Sequence, residues 1–402
     1  MSRNLVVCCD GTNNQFGPEN TNVLRLVEVL VQDPQRQLVY YDPGVGTMPE
    51  PHLLTRIGRT ISKWMGLAVG AGLMRNVEEA YTFLMKNWEP GDRVYLFGFS
   101  RGAYTVRVLA AMLHQMGLLP RDSQNMLPYA VKLFKAIRKD PQGQSRSPDE
   151  NEWPYWRLCN VFRQIFARPT EDASATGIDQ RHFPVHFLGV WDTVSSVGWL
   201  WEPVSFPFTT TNPSLQIARH AISIDERRSF FRQNRLVPPK NGKQDLKQHW
   251  FPGVHADVGG GYPLREGGLW LPAYEWLVRE ALQQQLIIDP ARLEAVLDRS
   301  PLRPRSWAEP QHESLLCMWW LAEFVLKKRW DTVQKRHRYM IGLGRRRRLD
   351  EGELIDHATL LRIRKTDYAP PNLSMAFLTK VRELNEVPPA MEYEPDGPVG
   401  ML

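Results

Sequence analysis

The chain is poor in cysteine, with four in 402 residues. Cys8 and Cys9 adjoin inside an apolar run, Cys159 and Cys317 stand alone, and none has metal-ligand spacing. Neither a disulfide framework nor a zinc site is indicated, and a reducing compartment is expected. Long apolar runs are lacking too. The stretches 64–74, 315–322 and the proline-broken 194–218 fall short of the roughly 20 residues that a membrane-spanning helix needs. Leu5-Val6-Val7-Cys8-Cys9 follows the first four residues without the apolar core and cleavage site of a secretory leader. The expectation is a protein that is cytoplasmic when made, with no Sec signal peptide and no transmembrane helix. Charge is nearly balanced: 50 Lys and Arg against 44 Asp and Glu leave +6, partly gathered in Arg345-Arg346-Arg347-Arg348. That block reads as a solvated loop run, or as a patch weakly attracted to anionic surfaces. No interleaved aromatics or recognised motif make it a nucleic-acid site.

An ordinary share of apolar and charged residues excludes wholesale disorder. Tryptophan is in surplus, at 14 residues, and its side chain favours half-wet surfaces and apolar clefts. Residues 4–9 read as a buried strand, 21–32 as a helix, 37–41 as a second strand and 64–88 as two helical pieces. Strand 93–97 and helix 103–115 follow. Residues 120–182 read as a helical insertion, with helices over 128–138 and 153–167. Then come strand 183–191, helix 213–224, strand 248–254 and helix 270–285. This alternation predicts an α/β fold, α/β-hydrolase-like, with a mostly parallel sheet and helices on both faces. A catalytic domain is expected over 1–290, and a C-terminal accessory or cap region over 291–402 with one apolar helix at 313–328.

Gly98-Phe99-Ser100-Arg101-Gly102 has the spacing of a nucleophile elbow, whose glycines let the chain turn sharply from strand to helix with the serine exposed. A chain of this composition contains the pattern by chance roughly one time in ten. Its position between a strand and a helix is what makes it informative. A serine needs a base, and the base an orienting carboxylate. Asp192 and His255 each end a strand in the required chain order, with His357 as the alternative base. The amide of Arg101 and the loop of Gly11 and Thr12 are candidate oxyanion donors. Asp10 would support that loop, and Asp257 stands beside the histidine. Asp10-Gly11-Thr12 also resembles the haloacid-dehalogenase phosphatases, but Cys8 occupies their nucleophile position. A metal-dependent hydrolase using Asp10, Asp192, His255 and Asp257 stays open, as does a non-catalytic binding protein on a hydrolase fold.

Four blocks carry a more specific resemblance: 9–14 (Cys-Asp-Gly-Thr-Asn-Asn), 98–107 (Gly-Phe-Ser-Arg-Gly-Ala-Tyr-Thr-Val-Arg), 189–194 (Gly-Val-Trp-Asp-Thr-Val) and 251–262 (Phe-Pro-Gly-Val-His-Ala-Asp-Val-Gly-Gly-Gly-Tyr). In this order they resemble the α/β-hydrolase-like catalytic domain family of type VI secretion phospholipase effectors. Ala256 departs from it where a serine is expected. The resemblance implies a serine esterase acting on phospholipid acyl esters, with Ser100 as nucleophile, Asp192 as acid and His255 as base. It implies no cofactor and no metal. Peripheral membrane contact, an immunity protein or secretion-apparatus partner, and export by a type VI system are compatible with it. Trp199, Leu200, Trp201, Phe206 and Phe208 follow the acid, and Trp319 and Trp320 lie on the late apolar segment. They are candidates for an acyl groove, or else ordinary core.

Overall fold

The computed structural model describes residues 2–11, 20–44, 69–137, 155–170, 182–195, 198–199, 202–203, 206–240, 243–316, 318–324, 327–331 and 336–395. Thr12, Leu200, Trp201 and Cys317 lie outside them. In chain order the first elements are β1 (Asn4–Cys9), α1 (Asn22–Val29), β2 (Gln37–Asp42), α2 (Val69–Asn87), β3 (Arg93–Phe99) and α3 (Ser100–Met116). Next come α4 (Leu127–Ile137), α5 (Tyr155–Phe166), β4 (Val185–Trp191), the short pair β5 (Gly198–Trp199) and β6 (Glu202–Pro203), β7 (Leu215–Ser223) and β8 (Asp245–Phe251). The rest are α6 (His255–Gly259), α7 (Leu271–Gln283), α8 (Pro290–Leu297), α9 (Met318–Glu323), β9 (Lys327–Asp331), β10 (Arg336–Met340), β11 (Leu354–Asp356), α10 (His357–Lys365), α11 (Met375–Arg382) and β12 (Ala390–Glu392).

Eight strands form one sheet in the order β12-β11-β8-β7-β4-β3-β1-β2, parallel throughout except for the β11–β12 pair. The strands alternate their apolar residues between two covered faces, as parallel strands must when helices pack on both sides. Leu5 and Val7 of β1 join one core with α2, α3, α4 and α5. Val6 and Cys8 join the other with α1, α7 and α8. A third cluster, around Ile222, Trp250 and Ile355, packs α10 and α11 on the far end of the sheet. No helix among the described residues is long and apolar enough to cross a membrane.

Two sequence expectations are corrected. Residues 215–223 are the central strand β7 rather than a helix. Arg219 and His220 break its apolar pattern, yet both are buried and satisfied: Arg219 by Glu280 and Asp245, His220 by Gln248 and the Thr193 amide. The expected helix over 313–328 is cut to the six residues of α9, and β9 and β10 pair as an antiparallel hairpin after it. The buried Glu323 in α9 accepts hydrogen bonds from Ser229 and the Gly344 amide.

Candidate active site

The register of the parallel strands brings their C-terminal ends side by side. Cys9 stands opposite Gly98, Phe99 opposite Trp191, Trp191 opposite Ala221, and Ser223 opposite Phe251. The loops and helix starts that leave this edge carry Asp10, Ser100, Asp192, Glu226 and His255. Open α/β sheets place their ligand crevice at this edge.

Helix α3 begins at Ser100 with no residue between it and β3. Ser100 therefore turns through the left-handed region, at φ 58°, a conformation that costs a non-glycine residue on the order of 1–3 kcal/mol. The flanking glycines make the turn sterically feasible. A Cβ on Gly98 would lie 2.6 Å from the Gly102 carbonyl oxygen, and one on Gly102 would lie 2.1 Å from that of Cys9. Both obstacles are backbone and cannot swing aside.

Ser100 Oγ lies 2.8 Å from His255 Nε2, and His255 Nδ1 lies 2.6 Å from Asp192 Oδ2. An ionised carboxylate only accepts, so Nδ1 carries the proton and donates it to Asp192, which leaves the Nε2 lone pair facing the serine hydroxyl. The imidazole is held between two rings, stacked on Phe99 at 4.6 Å and edge-on to Phe231 at 4.7 Å. Burial lowers the His255 pKa, and the Asp192 carboxylate opposes that. The Asp192 carboxyl is pushed up by its own burial, but Arg347 and His255 outweigh this and hold it far below the usual carboxylate range.

Asp192 is gripped from several sides. Its Oδ1 accepts the Ser223 amide at 3.0 Å, and Arg347 donates Nη1 to Oδ1 at 2.5 Å and Nη2 to Oδ2 at 3.0 Å. Arg347 also donates to the Ser223 carbonyl, the Ser223 hydroxyl and the Phe231 carbonyl. The four-arginine block is thus not one surface patch: Arg345, Arg346 and Arg348 are exposed, whereas Arg347 is buried on Asp192. Glu226, also buried, accepts the His255 amide at 3.2 Å and is paired with Arg228. Burial pushes its carboxyl up, but the adjoining guanidinium prevails and holds it at about 2.

Several expected residues take places of their own. Asp10 accepts from the Thr21 hydroxyl at 2.5 Å, the Tyr41 hydroxyl at 3.1 Å and the Gly11 amide at 2.7 Å. The Gly11 N–H is therefore turned onto Asp10. Arg101 stands in the first turn of α3, where backbone N–H groups lack helical acceptors. Asp257 accepts from the Val254 amide and from both the amide and Nδ1 of His312. His357 opens α10 and is paired with the Pro388 carbonyl, so of the two candidate bases His255 is the one bonded to Ser100. Asp10, Asp192, His255 and Asp257 do not converge: no group of three metal-ligating side chains able to hold an ion occurs among the described residues.

The aromatic candidates divide. Phe206 is buried against Phe134 of α4, and Phe208 packs on His114 of α3, both in the helical layer. Trp319 meets Phe231 edge-on at 5.6 Å, one ring away from His255, and Trp320 is 40% exposed. The backbone of Trp199 pairs with Glu202 in the short β5–β6 ribbon. Sequence reasoning missed Phe99, Glu226, Phe231, His312 and above all Arg347. The available signal for Arg347 was Leu349, two residues on: in an extended segment the two share a face, and both are buried.

The mostly parallel sheet with helices on both faces, and a serine at a strand-to-helix turn over its C-terminal edge, define an α/β-hydrolase-like protein. More narrowly, the chain belongs to the family described as T6SS, phospholipase effector Tle1-like, catalytic domain, whose model matches residues 3–280. An uncharacterized protein of Saccharomyces cerevisiae is 36% identical over 242 residues, which are 59% of this chain and 33% of that protein. Among solved structures, an uncharacterized protein from Pseudomonas aeruginosa matches with a TM-score of 0.38 at 18% identity, covering 74% of this chain and 48% of the other. A Tle1 effector bound to the VgrG spike of the type 6 secretion system matches with a TM-score of 0.35 at 17% identity, covering 66% and 52%. The chain thus spans about a third of the curated relative and about half of each solved chain.

Proposed function

We propose that this chain is a serine esterase that hydrolyses the acyl esters of phospholipids. The observation that carries the reading is the unbroken hydrogen-bond chain from Ser100 Oγ through His255 to Asp192, with the serine presented on a left-handed turn. His255 takes the Ser100 proton as Oγ attacks the ester carbonyl carbon, and Asp192 stabilises the imidazolium that forms. The developing oxyanion meets the Arg101 amide at the start of α3. Collapse breaks the ester bond, and His255 returns its proton to the lysolipid oxygen. Water deprotonated by His255 then releases the fatty acid from Ser100. Family membership supports the phospholipid as substrate, and the pair of rings that Phe231 and Trp319 set beside His255 supports an acyl chain lying there. Peripheral contact with a lipid surface would follow. The same membership supports a role as a type VI effector, with a component of the secretion apparatus as partner and an immunity protein as its antagonist.

The test compares wild type with Ser100→Ala on short-chain esters and phospholipid vesicles, with and without a chelator. Wild type is expected to release acid with or without chelator, and Ser100→Ala to lose at least roughly 10³-fold in kcat. Equal turnover by the two proteins refutes the serine mechanism, and loss of wild-type activity to the chelator favours a metal-dependent one.

A further inference from the structure

We infer that Arg347 is a positioning residue for the reaction, whose guanidinium holds the Asp192 carboxylate in the orientation that receives His255 and shares the charge that the imidazole would otherwise meet alone. The inference rests on the serine-esterase reading and adds to it a group from outside residues 3–280, the span the family model matches.

Three observations carry it. The first is geometry: Nη1 and Nη2 reach the two oxygens of one carboxylate, a forked arrangement that fixes the carboxylate plane as well as its place. The second is reach. The same guanidinium binds the carbonyl of Phe231, whose ring lies edge-on to the imidazole. Arg347 thereby anchors the carboxylate in front of His255 and the ring beside it. The third is the local charge balance. Glu226 and Arg228 face His255 from the loop after β7, but they form an ion pair with each other. His220 faces Asp192 from β7. Its Nε2 accepts the Thr193 amide, and burial followed by the charge of Arg107 on α3 lowers its pKa to about 3, so it is neutral. Arg347 is then the cation that sets how much of the Asp192 charge reaches the imidazole.

Without the guanidinium, the buried carboxylate would keep only the neutral Ser223 amide beside His255, and would favour the imidazolium. The base would be free only at higher pH. A lysine would keep the charge but, as a point donor, would not hold both oxygens in plane.

The experiment uses the full chain as wild type, Arg347→Met and Arg347→Lys. It measures the pH titration of the His255 ring in histidine-labelled protein by NMR, and the pH dependence of kcat/KM on a short-chain ester. Arg347→Met should raise the His255 midpoint and the acid limb of kcat/KM by about one pH unit or more. Arg347→Lys should return both to within a few tenths of a unit while kcat stays roughly 10- to 100-fold down. An unmoved His255 midpoint in folded Arg347→Met, with ester cleavage measurable in wild type, overturns the inference and leaves the esterase reading intact. If Arg347→Met does not fold, Arg347→Lys decides: wild-type kcat overturns the positioning role, and a reduced kcat at an unchanged midpoint supports it. A wild type that cleaves no ester overturns the esterase reading, and the positioning role with it, whatever the imidazole titration shows.

Discussion

Gly259, the last residue of α6, has no positive φ, so alanine suits its backbone, and the cost of Gly259→Ala is purely one of space. The new Cβ would fall 1.8 Å from Cε2, 2.2 Å from Cδ2 and 2.4 Å from Cζ of Phe99. Carbon atoms rest at about 3.5–4.0 Å, so the ring must withdraw by roughly 1.5–2 Å. Phe99 is buried and carries the stacked face of the His255 imidazole. Overpacking of this kind costs about 1–3 kcal/mol, which for a chain of this size lowers Tm by about 1–4 °C. The larger effect should fall on turnover, because a displacement of about 1 Å in a reacting group can cost on the order of 10²-fold. The assay is kcat/KM on a short-chain ester beside a thermal melt. Phe99→Leu on the Gly259→Ala background, which makes room for the methyl group, should recover part of both losses. Gly259→Ala with wild-type kcat/KM and Tm would refute the claim that the ring between Gly259 and His255 sets the position of the base.

Two further predictions concern pH. Burial draws His255 below the ordinary histidine value of about 6.5, and the base works only as neutral imidazole. Wild-type kcat/KM should therefore hold as pH falls through 6.5 and break below it; a break at pH 7 or above contradicts the burial argument. For His312, the hydrogen bond to Asp257 raises the pKa against the pull of burial. Its stabilising contribution is complete below the unfolded value of about 6.5 and is lost as pH rises through the raised folded value. The advantage of wild type over His312→Gln in urea melts should be larger at pH 5.5 than at pH 8.5, and an equal advantage at both would count against a charged His312.

Much of the site was legible because its parts are short and local. The elbow needs glycines two residues either side of a serine, between a strand and a helix, and both the turn and the steric demand are present at Gly98 and Gly102. Asp192 and His255 followed from chain order and strand ends. What misled was polarity inside the core. The span expected as a helix, 213–224, holds the buried Arg219 and His220 of a central strand, and four consecutive arginines looked like a solvated run although one of them is buried. Gly11 stood where an oxyanion donor was sought, yet its N–H is taken by Asp10, and only the placement of Thr21 and Tyr41 around that carboxylate shows how the loop is held.

By itself the sequence determined the alternation of strands and helices as far as β4, the elbow at Ser100 and the shortlist of acid and base, because each is written in periods of two or 3.6 residues or in the few residues of a turn. The tertiary structure decided which histidine meets the serine, that β7 stands between β4 and β8, and that Arg347 lies on Asp192, 155 residues away in the chain. A buried charge is tolerated only beside its partner, and no local pattern states where in the chain that partner will come from.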